Sequence, residues 1–164
     1  MKHFLFYTVL IFCGLNTQAQ INELGVFVGG TNYIGDIGPT DYIAPNEPSI
    51  GILYKWNRSP RHAYRFSYTQ GKLTARDIDS DVPSRYLRGN SFENSVKEFS
   101  AGLEFSFMDF DLHDGDPKFS PYVYSGLSYF IYDEIYILDN NSREDYQSST
   151  FAIPMVLGLK ARLF

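Results

Sequence analysis

The densest set of potential metal ligands in the chain is the run Asp109-Phe110-Asp111-Leu112-His113-Asp114-Gly115-Asp116. Its carboxylates offer oxygen to a hard cation such as calcium, but the glycine is not where an EF-hand loop places one and no glutamate closes the loop. An Asp-Gly turn between two strands accounts for the same residues, so no metal is assigned to residues 109–116. Asp77, Asp79 and Asp81 raise the same question and receive the same answer. Beyond residue 19 the histidines are His62 and His113. Neither lies near a motif for nucleophilic catalysis, and each reads as a rim or turn residue. Gly29-Gly30, and Gly35 with Gly38, lie in and after a strand with no helix following, so they form no phosphate-binding loop. These residues point to a protein that is not an enzyme, with no catalytic, cofactor-binding or metal-ligating residue, no cofactor and no evident small-molecule substrate.

The elements that carry these residues are strands. Between residues 96 and 108, Phe99, Ala101, Leu103, Phe105 and Phe107 interleave with Glu98, Ser100, Gly102, Glu104 and Ser106. Strict alternation of this kind marks a β-strand with one apolar and one polar face. Ordinary strands run about 5–6 residues, whereas a strand crossing a bilayer at a tilt needs about 9–11. This one is in the longer class. An aromatic face opposed to carboxylates and small residues suits a membrane barrel with lipid outside and packed polar groups inside.

The same division recurs along the chain. Residues 22–32 set Leu24, Val26 and Val28 against Glu23, Gly25, Phe27 and Gly29, whose glycines suggest bends or close packing inside a small barrel. Residues 50–56 alternate Ile50, Ile52, Tyr54 and Trp56 with Gly51, Leu53 and Lys55. Residues 61–71 set His62, Tyr64, Phe66 and Tyr68 against Arg61, Ala63, Arg65, Ser67 and the pair Gln70-Gly71. Residues 122–132 carry aromatics on both faces, and residues 151–164 alternate Phe151, Ile153, Met155, Leu157, Leu159, Ala161 and Leu163 with Gly158, Lys160 and Arg162. Roughly six strands result, with no helix longer than a turn or two.

Connections 33–48, 72–94 and 133–149 read as long polar loops, 57–60 as a tight turn and 109–120 as intermediate. Outer-membrane barrels sort their loops this way, long outside and short in the periplasm. Glu23, Lys55, Arg61, Arg65, Glu98, Glu104, Lys160 and Arg162 are expected to face inward and to pair across the lumen, where an unpaired charge is expensive.

The chain's 164 residues set the scale of one domain. Aromatics make up 17% of it, without a long apolar run, which favours exposed β surface over a helical core. The formal charge of −5 argues against nucleic acid, which needs clustered Lys and Arg. Residues 1–19 read as a cleaved signal peptide: Lys2 and His3 give a basic start, Phe4 to Leu15 an apolar region, and Thr17-Gln18-Ala19 a small-x-small site before Gln20. Cys13, inside it, is the single cysteine, so the mature chain has no disulfide framework.

At residues 29–38 a resemblance appears. The run Gly29-Gly30-Thr31-Asn32-Tyr33-Ile34-Gly35-Asp36-Ile37-Gly38, after Glu23-Leu24-Gly25-Val26, resembles the opening of PorG-type outer-membrane proteins of the type IX secretion and gliding machinery. The similarity continues in Gly51-Ile52-Leu53-Tyr54-Lys55-Trp56, in Arg85-Tyr86-Leu87-Arg88-Gly89-Asn90-Ser91-Phe92, in Glu98-Phe99 with Glu104-Phe105, and in Pro121-Tyr122 leading to Gly126. It implies a non-enzymatic barrel associated with periplasmic ring components of the secretion apparatus and with outer-membrane lipid. Gly35 and Gly38 are expected to supply backbone angles closed to other residues as the strand turns into a loop.

The fold expected is thus all-β, an antiparallel up-and-down outer-membrane β-barrel of about eight strands when complete, about six of them here. Residues 20–164 form the barrel domain. Such proteins continue with further strands past Phe164, so a C-terminally truncated barrel is expected, because open edges are not viable in lipid. Two alternatives carry different functions. One is a small OmpA-like barrel that stabilises the envelope; the other is a soluble periplasmic calycin, which requires its aromatic face inside and its charges outside.

Overall fold

The computed structural model describes residues 21–110 and 119–161. The leader 1–19, residues 111–116 of the acidic turn with His113, and Arg162 lie outside them. Seven strands, β1 (Asn22–Thr31), β2 (Glu47–Asn57), β3 (His62–Arg76), β4 (Ser91–Ser106), β5 (Phe119–Leu138), β6 (Asn141–Ala152) and β7 (Met155–Ala161), make one antiparallel sheet. Each of the first five pairs with the next in sequence, so that β1 to β6 lie side by side in chain order, and β7 pairs with β5. The result is an up-and-down half-barrel, all-β as the alternation requires.

Seven strands occupy six positions. The long β5 pairs through Ser128–Leu138 with β6 and through Phe119–Ser125 with β7. The stretch 151–164, read above as one strand, is therefore interrupted between β6 and β7 at Ile153-Pro154. Proline has no N–H to give to a ladder, which explains the break. Among the described residues, β1 and the β6–β7 line each keep one edge without a partner strand.

Two expected loops contain strand. Within 72–94, β3 runs on to Arg76 and β4 starts at Ser91; a 3₁₀ turn (Asp77–Asp79) and the six-residue helix α1 (Pro83–Arg88) lie between. Pro83 opens the helix and Gly89, at φ +71°, ends it in the left-handed region. Within 133–149, β5 and β6 form a hairpin closed at Asp139-Asn140, with φ of 51° and 64°. Two consecutive positive φ values match the twist of a two-residue hairpin. A register shift between Asp133 and Ile135 marks where this hairpin leaves the sheet, since β4 pairs with β5 only from Val96 opposite Tyr132. Above that level side chains on both faces are exposed, among them Tyr136, Ile137 and Leu138, and the apolar-polar alternation that reveals a strand in sequence is lost there.

The two faces are assigned as the alternation predicts, and they are inside out for a soluble protein. Leu24, Val26 and Val28 on β1 are 83%, 77% and 78% exposed on the convex face. On the concave face Glu104, Ser106, Ser120 and Ser128 are buried. Two assignments change. Gln70 is exposed on the convex side next to the inward Gly71. Arg61 precedes the first residue of β3 and lies at the short-turn rim, its side chain exposed and bound to Asp109, while its carbonyl still accepts the Ser106 N–H at 2.8 Å.

Candidate functional site

Three surfaces could carry function, and the first is the convex face. Strand register lines up Val26, Ile52, Tyr68, Phe99, Tyr129 and Phe151 in one row across all six positions. Their rings meet: Tyr68 and Phe99 are 4.8 Å apart between centroids, Tyr129 and Phe151 5.1 Å. Rows toward the short turns add Tyr54 with Phe66 and Trp56 with Tyr64. On the loop side the next row holds Gln70 and Lys97, where the apolar surface stops at β3 and β4. From Phe99 on β4 to Phe107, the residue after its end, the outward apolar run extends about 27 Å at about 3.4 Å per residue. So large a continuous apolar surface is unusual on a soluble monomer.

The second is the concave face, built around the fully buried carboxylate of Glu104. Lys55 reaches its Oε1 at 2.9 Å, Lys160 the same oxygen at 2.7 Å, and Arg65 its Oε2 at 3.6 Å. Strand order explains the convergence, since Lys55 is opposite Arg65, and Arg65 is opposite Gly102, one inward step from Glu104. Gly102 in turn faces Gly126, and a Cβ on Gly102 would come within 2.2 Å of the Ser125 carbonyl oxygen. The backbones there approach too closely for any side chain. The Arg65 guanidinium lies 4.9 Å from the Tyr124 ring, and Lys55 and Lys160 are 5.7 and 5.6 Å from Tyr122. These tyrosines explain why residues 122–132 carry aromatics on both faces: the inward set serves as a bed for cations. Glu98 accepts a hydrogen bond from Ser128 at 2.6 Å, and Glu23, opposite Lys55, accepts one from Asn57. Among these residues the three cations Lys55, Arg65 and Lys160 converge on Glu104, whereas Glu23 and Glu98 are held by Asn57 and Ser128.

The third is a clasp at the loop end. Asp77, with no exposed surface, accepts hydrogen bonds from Arg88 (2.7 and 3.1 Å) and from the backbone N–H groups of Gly38 and Asn90 (both 3.0 Å). The Arg88 guanidinium beside it holds the Asp77 carboxyl at about 2, well under its ordinary value, while Asp77 and Asp36 push the Arg88 pKa up. Arg88 also donates to the Asp36 carboxylate at 3.0 Å, and Arg85 to the Gly38 carbonyl at 2.8 Å. Tyr33 meets Phe92 edge to face at 4.6 Å. Asn140, in the β5–β6 turn, donates to the Arg88 carbonyl at 2.8 Å and accepts from the Ser91 N–H at 2.7 Å. Three connections are tied into one rim.

The sequence candidates are distributed among these surfaces. Asp77 binds Arg88 and Asp79 binds Arg76, so the aspartates of that triplet do not converge. His62 meets Phe105 at 5.1 Å with the rings tilted by 59°, on the convex side next to Ser59 in the short turn. Gly38 has the positive φ expected of it, +87°. Gly35 does not; a Cβ there would sit 2.1 Å from the Tyr33 hydroxyl, so the tyrosine side chain would have to move. The clasp itself was not anticipated, although its halves, 36–38 and 85–92, are two of the runs singled out above.

The fold and these faces define the protein as an antiparallel half-barrel of the up-and-down type, with an ionic interior and an apolar exterior. The chain matches the model of a domain of unknown function, DUF6089, over residues 2–164, and belongs to that family. No curated protein and no solved structure matches it.

Proposed function

We propose that the protein is an outer-membrane β-barrel that works, without enzymatic activity, as a structural or assembly subunit of the type IX secretion apparatus and contacts its periplasmic ring components. The observation that carries the membrane part is the division of the sheet into an apolar convex face and an ion-paired concave face. A soluble calycin would need the opposite arrangement. At a tilt of about 40° the apolar run on β4 covers about 20 Å along the membrane normal, close to the apolar band of outer-membrane barrels. The secretion part rests on the PorG-type resemblance, whose distinctive runs at 29–38 and 85–92 meet in the clasp. Residues 1–19 supply the export signal in this reading. In lipid the two sheet edges must find partner strands, since unpaired backbone groups are not tolerated there.

An affinity-tagged protein expressed from its own gene is expected to co-purify with periplasmic ring lipoproteins after cross-linking in cells. Recovery of the barrel alone would overturn the secretion reading. The alternative, an OmpA-like envelope barrel, predicts that deleting the gene leaves protein secretion intact.

A further inference from the structure

Trp56 is the last outward residue of β2 before the short turn, and it is the protein's single tryptophan. Its ring lies 5.6 Å from Tyr64 on the neighbouring strand, at the short-turn edge of the apolar face. Two residues on, Arg58 sits in a turn fixed by backbone bonds from Arg58 and Ser59 to the His62 carbonyl (2.9 and 3.2 Å). An arginine at such a tip has water on most sides. Its guanidinium instead folds back over Trp56, 5.1 Å from the ring. The other arginine of the turn, Arg61, is neutralised by Asp109, whereas no carboxylate lies within salt-bridge distance of Arg58 among the described residues.

We infer that Arg58 and Trp56 form a headgroup site for an anionic phospholipid, with the guanidinium on the phosphodiester and the indole at the interface. The inference rests on the lipid-facing reading of the convex face and names the lipid that this edge selects. The chemistry fits the geometry. A planar guanidinium presents paired N–H donors to phosphate oxygens and stacks on an aromatic face at the same time. Indole rings settle at the headgroup level, where their apolar body and N–H are both accommodated. A carboxylate of a neighbouring protein would satisfy the same guanidinium, but the aromatic floor under it continues into the apolar face, and an acyl chain below a phosphate has that continuity built in.

Trp56 is its own reporter. The full-length protein is reconstituted in phosphatidylcholine vesicles containing a fixed fraction of lipid spin-labelled near the headgroup, carried either on phosphatidylglycerol or on phosphatidylcholine. Quenching of Trp56 is expected to be about three- to fivefold more efficient from the labelled phosphatidylglycerol, the enrichment that one basic residue near an anionic surface gives. Arg58→Gln removes the preference, and Arg61→Gln, whose partner is Asp109, keeps it. Equal quenching by the two lipids in the unmodified protein, or a preference that survives Arg58→Gln, overturns the headgroup site. Absence of quenching by either lipid is a separate result: it overturns the membrane reading on which the site depends.

Discussion

Glu104 holds three cations at once, and its removal cannot be local. With Glu104→Gln, Lys55, Arg65 and Lys160 remain in a mostly buried space with no other carboxylate within salt-bridge reach among the described residues. Loss of one partner from a buried ion pair costs about 3–5 kcal/mol because the remaining charge is uncompensated. The variant is expected to unfold at a clearly lower urea concentration in detergent, and adding Lys160→Gln should recover part of the loss. An unchanged midpoint would mean that water reaches the cluster. Asp77 acts at the other end, and its effect depends on pH. Its carboxyl is depressed to about 2 in the folded protein, so its stabilising effect is complete above its ordinary range near 4. It is lost as the pH falls through about 2. Asp77→Asn removes it at every pH, costing about 1–3 kcal/mol through weakened charge-assisted bonds. Limited proteolysis of the loop end at neutral pH should therefore be faster in the variant, and the difference should shrink as the pH is lowered below about 4.

The elements of the barrel wall were the most legible part of the chain, for a definite reason. From Phe99 to Phe107 one face carries apolar side chains and the other polar or small ones, so residue type follows the two-residue period of the strand. The β5–β6 hairpin projects beyond that boundary, and Tyr136, Leu138 and Tyr146 are exposed along with their polar neighbours. Pattern is absent there although strand is present. Pro154 marks the β6–β7 break, yet the alternation around it continues undisturbed, so the pattern alone does not show the break. In the clasp, Asp77 lies 11 residues before Arg88 and 39 after Gly38; no local period connects such partners. Asn140 separates the hairpin's own geometry from its role in the rim. Asn140→Gly keeps the left-handed turn but removes the bond to the Arg88 carbonyl, about 1 kcal/mol. Asn140→Val also forces a branched residue into the left-handed region, about 1–2 kcal/mol more. Hydrogen exchange at the hairpin tip should rise modestly in the first and strongly in the second, whereas equal rises would place the whole effect in the rim contact.

At the scale of the molecule, the question is which solvent the convex face meets, and one position answers it. Leu103 lies at the middle of the outward run on β4, between Ala101 and Phe105, and is 44% exposed. If lipid covers that face, Leu103→Arg places a guanidinium near the bilayer midplane, which costs about 2–4 kcal/mol in a transmembrane barrel. The same charge at Lys97, on the boundary row beside Gln70, is already present in the chain, and Lys97→Leu should change stability little. A water-facing sheet would respond the other way: Leu103→Arg would be nearly neutral and would raise solubility by breaking an apolar patch. Folding yield into lipid vesicles, measured against urea, separates the two. A depth-dependent penalty, large at Leu103 and small at Lys97, is the expected outcome. It follows from the same inversion that puts Glu104 inside and Phe99 outside: on the membrane reading proposed above, the outer solvent is less polar than the inner one.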